Sequence, residues 1–196
     1  MSTFFEPEVG NWDSPIPMTD SRVKPLPSRI NEVLNIDDQY VIKIAGSVFW
    51  RRLTRFDPVD LLKQEFECLE LLQDAGFTPN PLYFSEKVLV TKWVGNSLSK
   101  DSVPTDWEQQ VGHIATKLAE RRIVHLDIKA ANVLSAGGRL NLIDFGWSLK
   151  DGRGLSLPGV LDRTWKARDP EWIEGFTNLK LRNVISSVLR SNGQSA

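Results

Sequence analysis

The stretch from Ile123 to Trp147, IVHLDIKAANVLSAGGRLNLIDFGW, constrains the chain more than any other. Two short apolar runs, Val133-Leu134 and Leu140 to Ile143, read as strands joined at the Gly137-Gly138 turn. Each run is flanked by polar residues that a hairpin does not need. Ahead of the first stand His125, Asp127, Lys129 and Asn132; after the second come Asp144, Phe145 and Gly146. Folding the hairpin therefore brings an acid and an amide close to a second acid. Such a set of hard oxygen ligands suits Mg²⁺, and it can also orient a hydroxyl nucleophile.

Composition bounds the setting of this hairpin. A chain of 196 residues can bury one sizeable core or two small lobes. Its 24 Lys+Arg against 25 Asp+Glu give a net charge of −1, which points away from a nucleic-acid groove or a polybasic anchor. Cys68 is the single cysteine, so no intramolecular disulfide and no cysteine zinc cluster can form. No apolar run reaches membrane-spanning length, and MSTFFEPEVG lacks the basic start and apolar centre of a signal peptide. A cytoplasmic protein without a membrane span is expected. The oligomeric state is not legible.

Before the hairpin, residues 1–29 carry five prolines and no period, and are expected to form an extended arm. Ile30 to Ile36 and Tyr40 to Ile44 read as a strand pair around Asp37-Asp38. Lys43 must point to the face opposite Ile42 and Ile44; a lone strand Lys is usually solvated. Asp60 to Ala75 reads as an amphipathic helix with Leu61, Leu62, Phe66, Leu69 and Leu72 on one face, Asp60 as N-cap and Gly76 as stop. Glu65 and Glu67 both fall inside it. Leu82-Tyr83-Phe84 and Val88 to Thr91 are further strands. Asp106 to Arg122 is a second helix, and Glu171 to Arg190 one or two more. His113 lies mid-helix and is read as a packing or surface residue.

The order His-x-Asp-x-Lys-x-x-Asn, then Asp-Phe-Gly with Asp144 12 residues beyond Asn132, closely resembles the catalytic and magnesium loops of protein kinases. The helix string E-F-x-x-L-x-x-L, followed by Gly and Pro, resembles that of the Rio kinases and of bacterial sugar and antibiotic kinases. LVTKWVGNSL resembles the last N-lobe strand and hinge. The resemblance covers roughly residues 30 to 172. It implies an α+β, two-lobed protein-kinase-like fold with a minimal helical C-lobe: N-lobe 30–94, C-lobe 95–196. It implies ATP and Mg²⁺ as cofactors and transfer of a γ-phosphoryl group to a hydroxyl. By that match Asp127 positions the acceptor hydroxyl and takes its proton, and Lys129 neutralises charge at the phosphoryl group. Asn132 and Asp144 hold the metal. Lys43, fixed by Glu65 in preference to Glu67, holds phosphates. Thr91 is the gatekeeper, with Lys92, Trp93 and Val94 as the hinge. His125 braces the loop.

The sequence departs from the family at three places. The first 60 residues contain only Gly10 and Gly46, so there is no G-x-G-x-x-G loop, and the Asp37-Asp38 turn is expected in its place. Only about 25 residues follow Glu171, leaving little groove for an extended peptide. Leu126 stands where kinases switched by phosphorylation carry an Arg. Thr164 with Pro170-Glu171 loosely resembles the end of an activation segment. A protein Ser/Thr acceptor is expected, recognised through Trp165 and Trp172. The alternatives are a glycan or small-molecule kinase and a non-catalytic pseudokinase.

Overall fold

The computed structural model describes residues 21–28, 30–46, 57–154 and 168–191. Five strands form one antiparallel sheet in the order β1-β2-β3-β5-β4: β1 Val23–Leu26, β2 Glu32–Ile36, β3 Tyr40–Ile44, β4 Pro81–Phe84 and β5 Val88–Lys92. The β2–β3 turn needs two left-handed residues. Asp37 and Asp38 supply them with φ of 54° and 53°, a conformation that Asp tolerates better than most residues. Asn35 braces the turn, its amide donating to the Asp38 carboxylate at 2.6 Å while its carbonyl accepts from the Asp38 N–H at 3.0 Å.

Strand β1 starts the sheet earlier than the Ile30 expected from the sequence and lays part of the proline-rich arm against the body. Val23 to Leu26 lie beside Ile36 to Val33 as the edge of the sheet, where Pro25 is tolerated because one side needs no donor. Position of the turns follows from this register. Val33 stands opposite both Leu26 and Lys43, so β1 ends and β2 begins at the Lys43 end of β3. The Asp37-Asp38 turn lies at the other end, beside Tyr40. It does not take the place of a phosphate loop, contrary to the sequence expectation.

Helix α1 runs from Pro58 to Leu72. Its N-cap is Asp57, not Asp60: the Asp57 carboxylate accepts from the Val59 N–H at 3.1 Å, and Pro58 presets the first helical φ. Asp60 sits in the first turn, where its charge complements the helix dipole.

Beyond β5 the chain enters the second lobe. Strand β6 (Asn96–Ser97) pairs with β8 (Val133–Ala136), which pairs with β9 (Arg139–Leu142). The β8–β9 turn is the expected Gly137-Gly138, with φ of 56° and 74°. Strands β7 (Ile123–Val124) and β10 (Leu149–Lys150) form a second small pair. Helix α2 is Trp107–Glu120, and α3 is one continuous helix, Pro170–Arg190. Asp169 is the N-cap of α3 and accepts from the Glu171 N–H at 3.0 Å.

Two buried clusters hold this arrangement. Leu34, Ile42, Val88 and Val90 fill one face of the sheet. The larger cluster joins Leu62, Leu69 and Leu72 of α1 to Ile114 and Leu118 of α2, Phe145, and Ile173, Leu181 and Ile185 of α3. At about 2 kcal/mol for each fully buried aliphatic side chain, this cluster ties α1 to the second lobe. The described residues thus form the expected two-lobed α+β kinase-like fold with a small helical C-lobe.

Candidate active site

Alternation along β3 places Lys43 away from Ile42, toward α1. Its ammonium lies 2.8 Å from both carboxylate oxygens of Glu65 and 3.4 Å from Oδ1 of Asp144. Glu65 is 3% exposed. Glu67 points elsewhere, 3.6 Å from Lys150, which resolves the choice between the two helix glutamates. Burial works against the charge on Lys43, but Glu65 and Asp144 outweigh it and raise its pKa above the ordinary lysine value. The ammonium beside Asp144 holds that carboxyl below the ordinary aspartate range. Lys43 is therefore charged and Asp144 ionised at neutral pH.

The loop before β8 is a compact hydrogen-bonded unit. Lys129 Nζ lies 2.5 Å from Oδ2 of Asp127. The Asn132 amide nitrogen donates to the Asp127 carbonyl at 2.9 Å and to its Oδ2 at 3.0 Å. With its nitrogen engaged, Asn132 keeps its side-chain carbonyl as the end available to a hard cation. His125 is the brace expected of it. Its Nδ1 accepts from the Asp127 N–H at 3.2 Å, which requires the proton on Nε2, and Nε2 donates to the Ile143 carbonyl at 2.9 Å. It thereby ties the loop to the residue before Asp144. Phe145 packs edge-on against the ring at 4.6 Å. Burial pushes the His125 pKa down, so the neutral tautomer these bonds require is the one favoured.

Asp144 adopts a left-handed backbone, φ 68° and ψ 63°. The turn after it packs under α1, where Gln64 donates through Nε2 to the carbonyls of Gly146, at 2.9 Å, and Ser148. Gly146 lies so close to Leu61 that a Cβ there would stand 3.3 Å from the Leu61 carbonyl oxygen.

Thr91 is buried on β5. The residues that follow differ from a simple open hinge. Lys92 belongs to β5, its N–H donating to the Asn80 carbonyl at 3.0 Å. The Trp93 N–H donates to the Gln39 carbonyl at 2.8 Å, and the Val94 carbonyl accepts from the Asn141 amide at 2.8 Å. Trp93 is thus not a free donor, because the strand ladder continues one residue further than the sequence suggested. The Val94 N–H has no partner among the described residues. Asn141 was missed: nothing in its neighbourhood marks an inward polar residue on β9 as a hinge anchor.

Trp172 is half-buried and stacks on Phe176 with ring centroids 5.0 Å apart, so much of its surface serves packing rather than an acceptor. Thr164 and Trp165 lie outside the described residues. His113 accepts no catalytic role: Nε2 lies 3.2 Å from the Ala75 carbonyl and the ring packs edge-on to Phe77. No helix among the described residues is long and apolar enough to cross a membrane.

A stretch of 92 residues is 29% identical to a probable serine/threonine-protein kinase Bud32 homolog from Archaeoglobus fulgidus, covering 46% of this chain and 47% of that protein. A stretch of 58 residues is 41% identical to a probable bifunctional tRNA threonylcarbamoyladenosine biosynthesis protein from Methanosarcina barkeri, covering 30% of this chain and 10% of that one. The chain thus spans about half of the first relative and a tenth of the second. Among solved structures, the Rio2 kinase from Chaetomium thermophilum, in its ADP/Mg²⁺-phosphoaspartate complex, aligns with TM-score 0.49 and 17% identity over 88% of this chain and 62% of that one. An ADP-bound aminoglycoside phosphotransferase aligns with TM-score 0.49 and 14% identity over 91% and 89%. The RIO domain profile matches residues 50–156. With more than half of its length inside that match, the chain belongs to the RIO domain family.

Proposed function

We propose that the protein is an ATP- and Mg²⁺-dependent phosphotransferase that moves the γ-phosphoryl group to the hydroxyl of a protein Ser or Thr. The observation that carries this reading is the largely buried Lys43, its side chain 13% exposed, held at once by Glu65 from α1 and by Asp144 from the second lobe. A buried ammonium with two carboxylates is costly to assemble for stability alone. Placed at the junction of the lobes, it suits the task of gripping phosphate oxygens.

The donor set fits Mg²⁺. Asn132 and Asp144 supply an amide carbonyl and a carboxylate, few enough to leave positions for water and phosphate oxygens, which is how Mg²⁺ is usually held. Bound there, the ion would offset the charge that develops on the transferred group. The remaining work belongs to the chain's own side chains. Asp127, held by Lys129 and Asn132, orients the acceptor hydroxyl and takes its proton. When an acceptor engages Asp127, Lys129 is free to neutralise the phosphoryl charge. The Val94 N–H, unpartnered among the described residues, is the hinge donor for an adenine edge, with Thr91 behind it. Glu65 and His125 position Lys43 and Asp127 without touching the reacting atoms.

The Ser/Thr acceptor rests on Lys129, two residues beyond Asp127, and on the description of the Archaeoglobus relative as a serine/threonine-protein kinase. A cytoplasmic setting is proposed with it. The small C-lobe favours a second reading, a compact glycan or small-molecule acceptor. Labelled ATP with Mg²⁺ and lysate split into protein, glycan and small-molecule fractions separates the two; label confined to the glycan or small-molecule fraction overturns the protein acceptor. Two variants test the site itself. Asp144→Ala should weaken Mg²⁺-ATP binding together with turnover. Asp127→Ala should keep ATP binding while turnover falls about 10²-fold or more. Titration calorimetry that finds the reverse pattern refutes the assignment.

A further inference from the structure

A cavity of about 590 Å³ opens beside α1, lined on that helix by Gln64, Glu67 and Cys68. Four cations line it, and they come from separate places in the fold. Arg122 follows α2, Lys150 ends β10, Arg153 lies three residues further on, and Arg168 precedes the cap of α3. Among the described residues only two carboxylates line it with them, Glu67 and Asp151. The wall therefore carries a formal excess of +2 on a chain whose net charge is −1. It is a local concentration of charge, not a sample of a basic surface.

These cations are loosely engaged. Lys150 to Glu67 and Arg122 to Asp151 both measure 3.6 Å, beyond direct hydrogen-bond length. Arg168 spends its Nε on the Asp151 carbonyl at 3.1 Å, leaving the outer edge of its guanidinium uncommitted. Arg153 has no ion-pair partner among the described residues. Guanidinium forks with unspent donors match the oxygens of a phosphate group better than any other common ligand. Cys68 also lines the cavity, but burial pushes its thiol up to about 12, so the site offers no nucleophile at neutral pH.

We propose that this cavity binds a phosphate-type dianion, either free phosphate or a phosphorylated side chain. Two negative charges match the excess on the wall. The ligand would clamp α1 to the segment after Asp144. Gln64, on the same wall, already bonds that segment, and the next residue is Glu65. Occupancy would thus hold Glu65 toward Lys43, a consequence that rests on the phosphotransferase reading; the binding itself does not.

The test is titration calorimetry on the full chain with sodium phosphate and, separately, with O-phosphothreonine, each against sodium chloride at matched ionic strength. One saturable site is expected. Arg153→Ala with Arg168→Ala should weaken it about tenfold or more. Both side chains are exposed, so circular dichroism should show the fold retained. Glu67→Gln, which removes an opposing charge, should tighten binding about threefold. Binding of free phosphate supports the site with phosphate as sufficient ligand; binding of O-phosphothreonine alone supports it with a phosphorylated side chain as ligand. No saturable binding of either probe overturns the proposal. So does unchanged affinity in the double variant, which would place the anion elsewhere, such as at Lys43. Because the readout is binding, a protein inactive toward every acceptor would leave the result standing.

Discussion

Three side chains decide whether the site is assembled, and each acts through a different term. Glu65 acts through charge. Removing it leaves a buried ammonium with Asp144 as its remaining carboxylate, 3.4 Å away. Glu65→Ala should therefore lower unfolding free energy by about 3 kcal/mol, measured by urea denaturation; a loss below about 1 kcal/mol would mean that water already solvates the pair. His125 acts through a proton it does not carry. Its folded pKa is depressed by burial, so below the unfolded value of about 6.5 the unfolded chain binds the extra proton. Stability from this group is full above that pH and is lost as pH falls toward the folded pKa. The unfolding free energy should turn down as pH falls below about 6.5, and His125→Gln should flatten that limb of the curve. Asp144 has a depressed pKa as well, so its contribution stays intact through this window and is lost only at more acid pH, below about 3.9.

At the scale of elements, the joints matter more than the strands and helices they connect. Gly95 follows the hinge with φ of +126°, and a Cβ there would stand 2.5 Å from the Ser135 carbonyl oxygen and 2.8 Å from the Ala136 Cβ. Gly95→Ala should cost about 2 kcal/mol or more and separate β6 from β8. Chemical denaturation gives the cost, and hydrogen exchange at Asn96 and Ser97 reports the lost pairing. Gly76→Ala is the control, strained by its φ of 76° but with nothing within 4 Å of the new Cβ; equal costs would show that backbone strain alone decides. The start of α1 is a second joint. Asp57→Ala should remove about 1 kcal/mol with the cap, and Asp60→Ala less than half of that, since it loses only an interaction with the helix dipole.

Considered as a whole, the molecule does not divide its core where it divides its lobes. The larger cluster runs from α1 through Phe145 into α2 and α3, while the sheet keeps a smaller one of its own. Leu69→Ala in α1 and Leu181→Ala in α3, both fully buried, should each cost about 2–5 kcal/mol and shift the same cooperative transition. Calorimetry that resolved two transitions, one moved by each substitution, would show that the lobes melt apart. A single transition means that Glu65, carried on α1, cannot loosen without strain on the C-lobe, which gives the proposed anion clamp its leverage.

The sequence by itself determined what is local or periodic. The Gly137-Gly138 turn, the alternation that turns Lys43 away from Ile42, the helical stripe of α1 and the order of polar residues from His125 to Asp144 all follow from short-range geometry, and the structure keeps each of them. Tertiary structure decided what depends on a partner distant in the chain. Val23 to Leu26 became a strand because β2 offered an unpaired edge to a proline-bearing segment that has no signal of its own. Glu65 was separated from Glu67 by which one meets Lys43, 22 residues earlier, once α1 packed. Trp93 lost its free N–H to Gln39, and Asn141 gained a role at Val94, because ladder bonds and buried amides are satisfied by whatever backbone comes within reach. The basic cavity was invisible for the same reason. Arg122, Lys150, Arg153 and Arg168 are spread over 47 positions of a chain with nearly balanced charge, and only the packing of three elements gathers them.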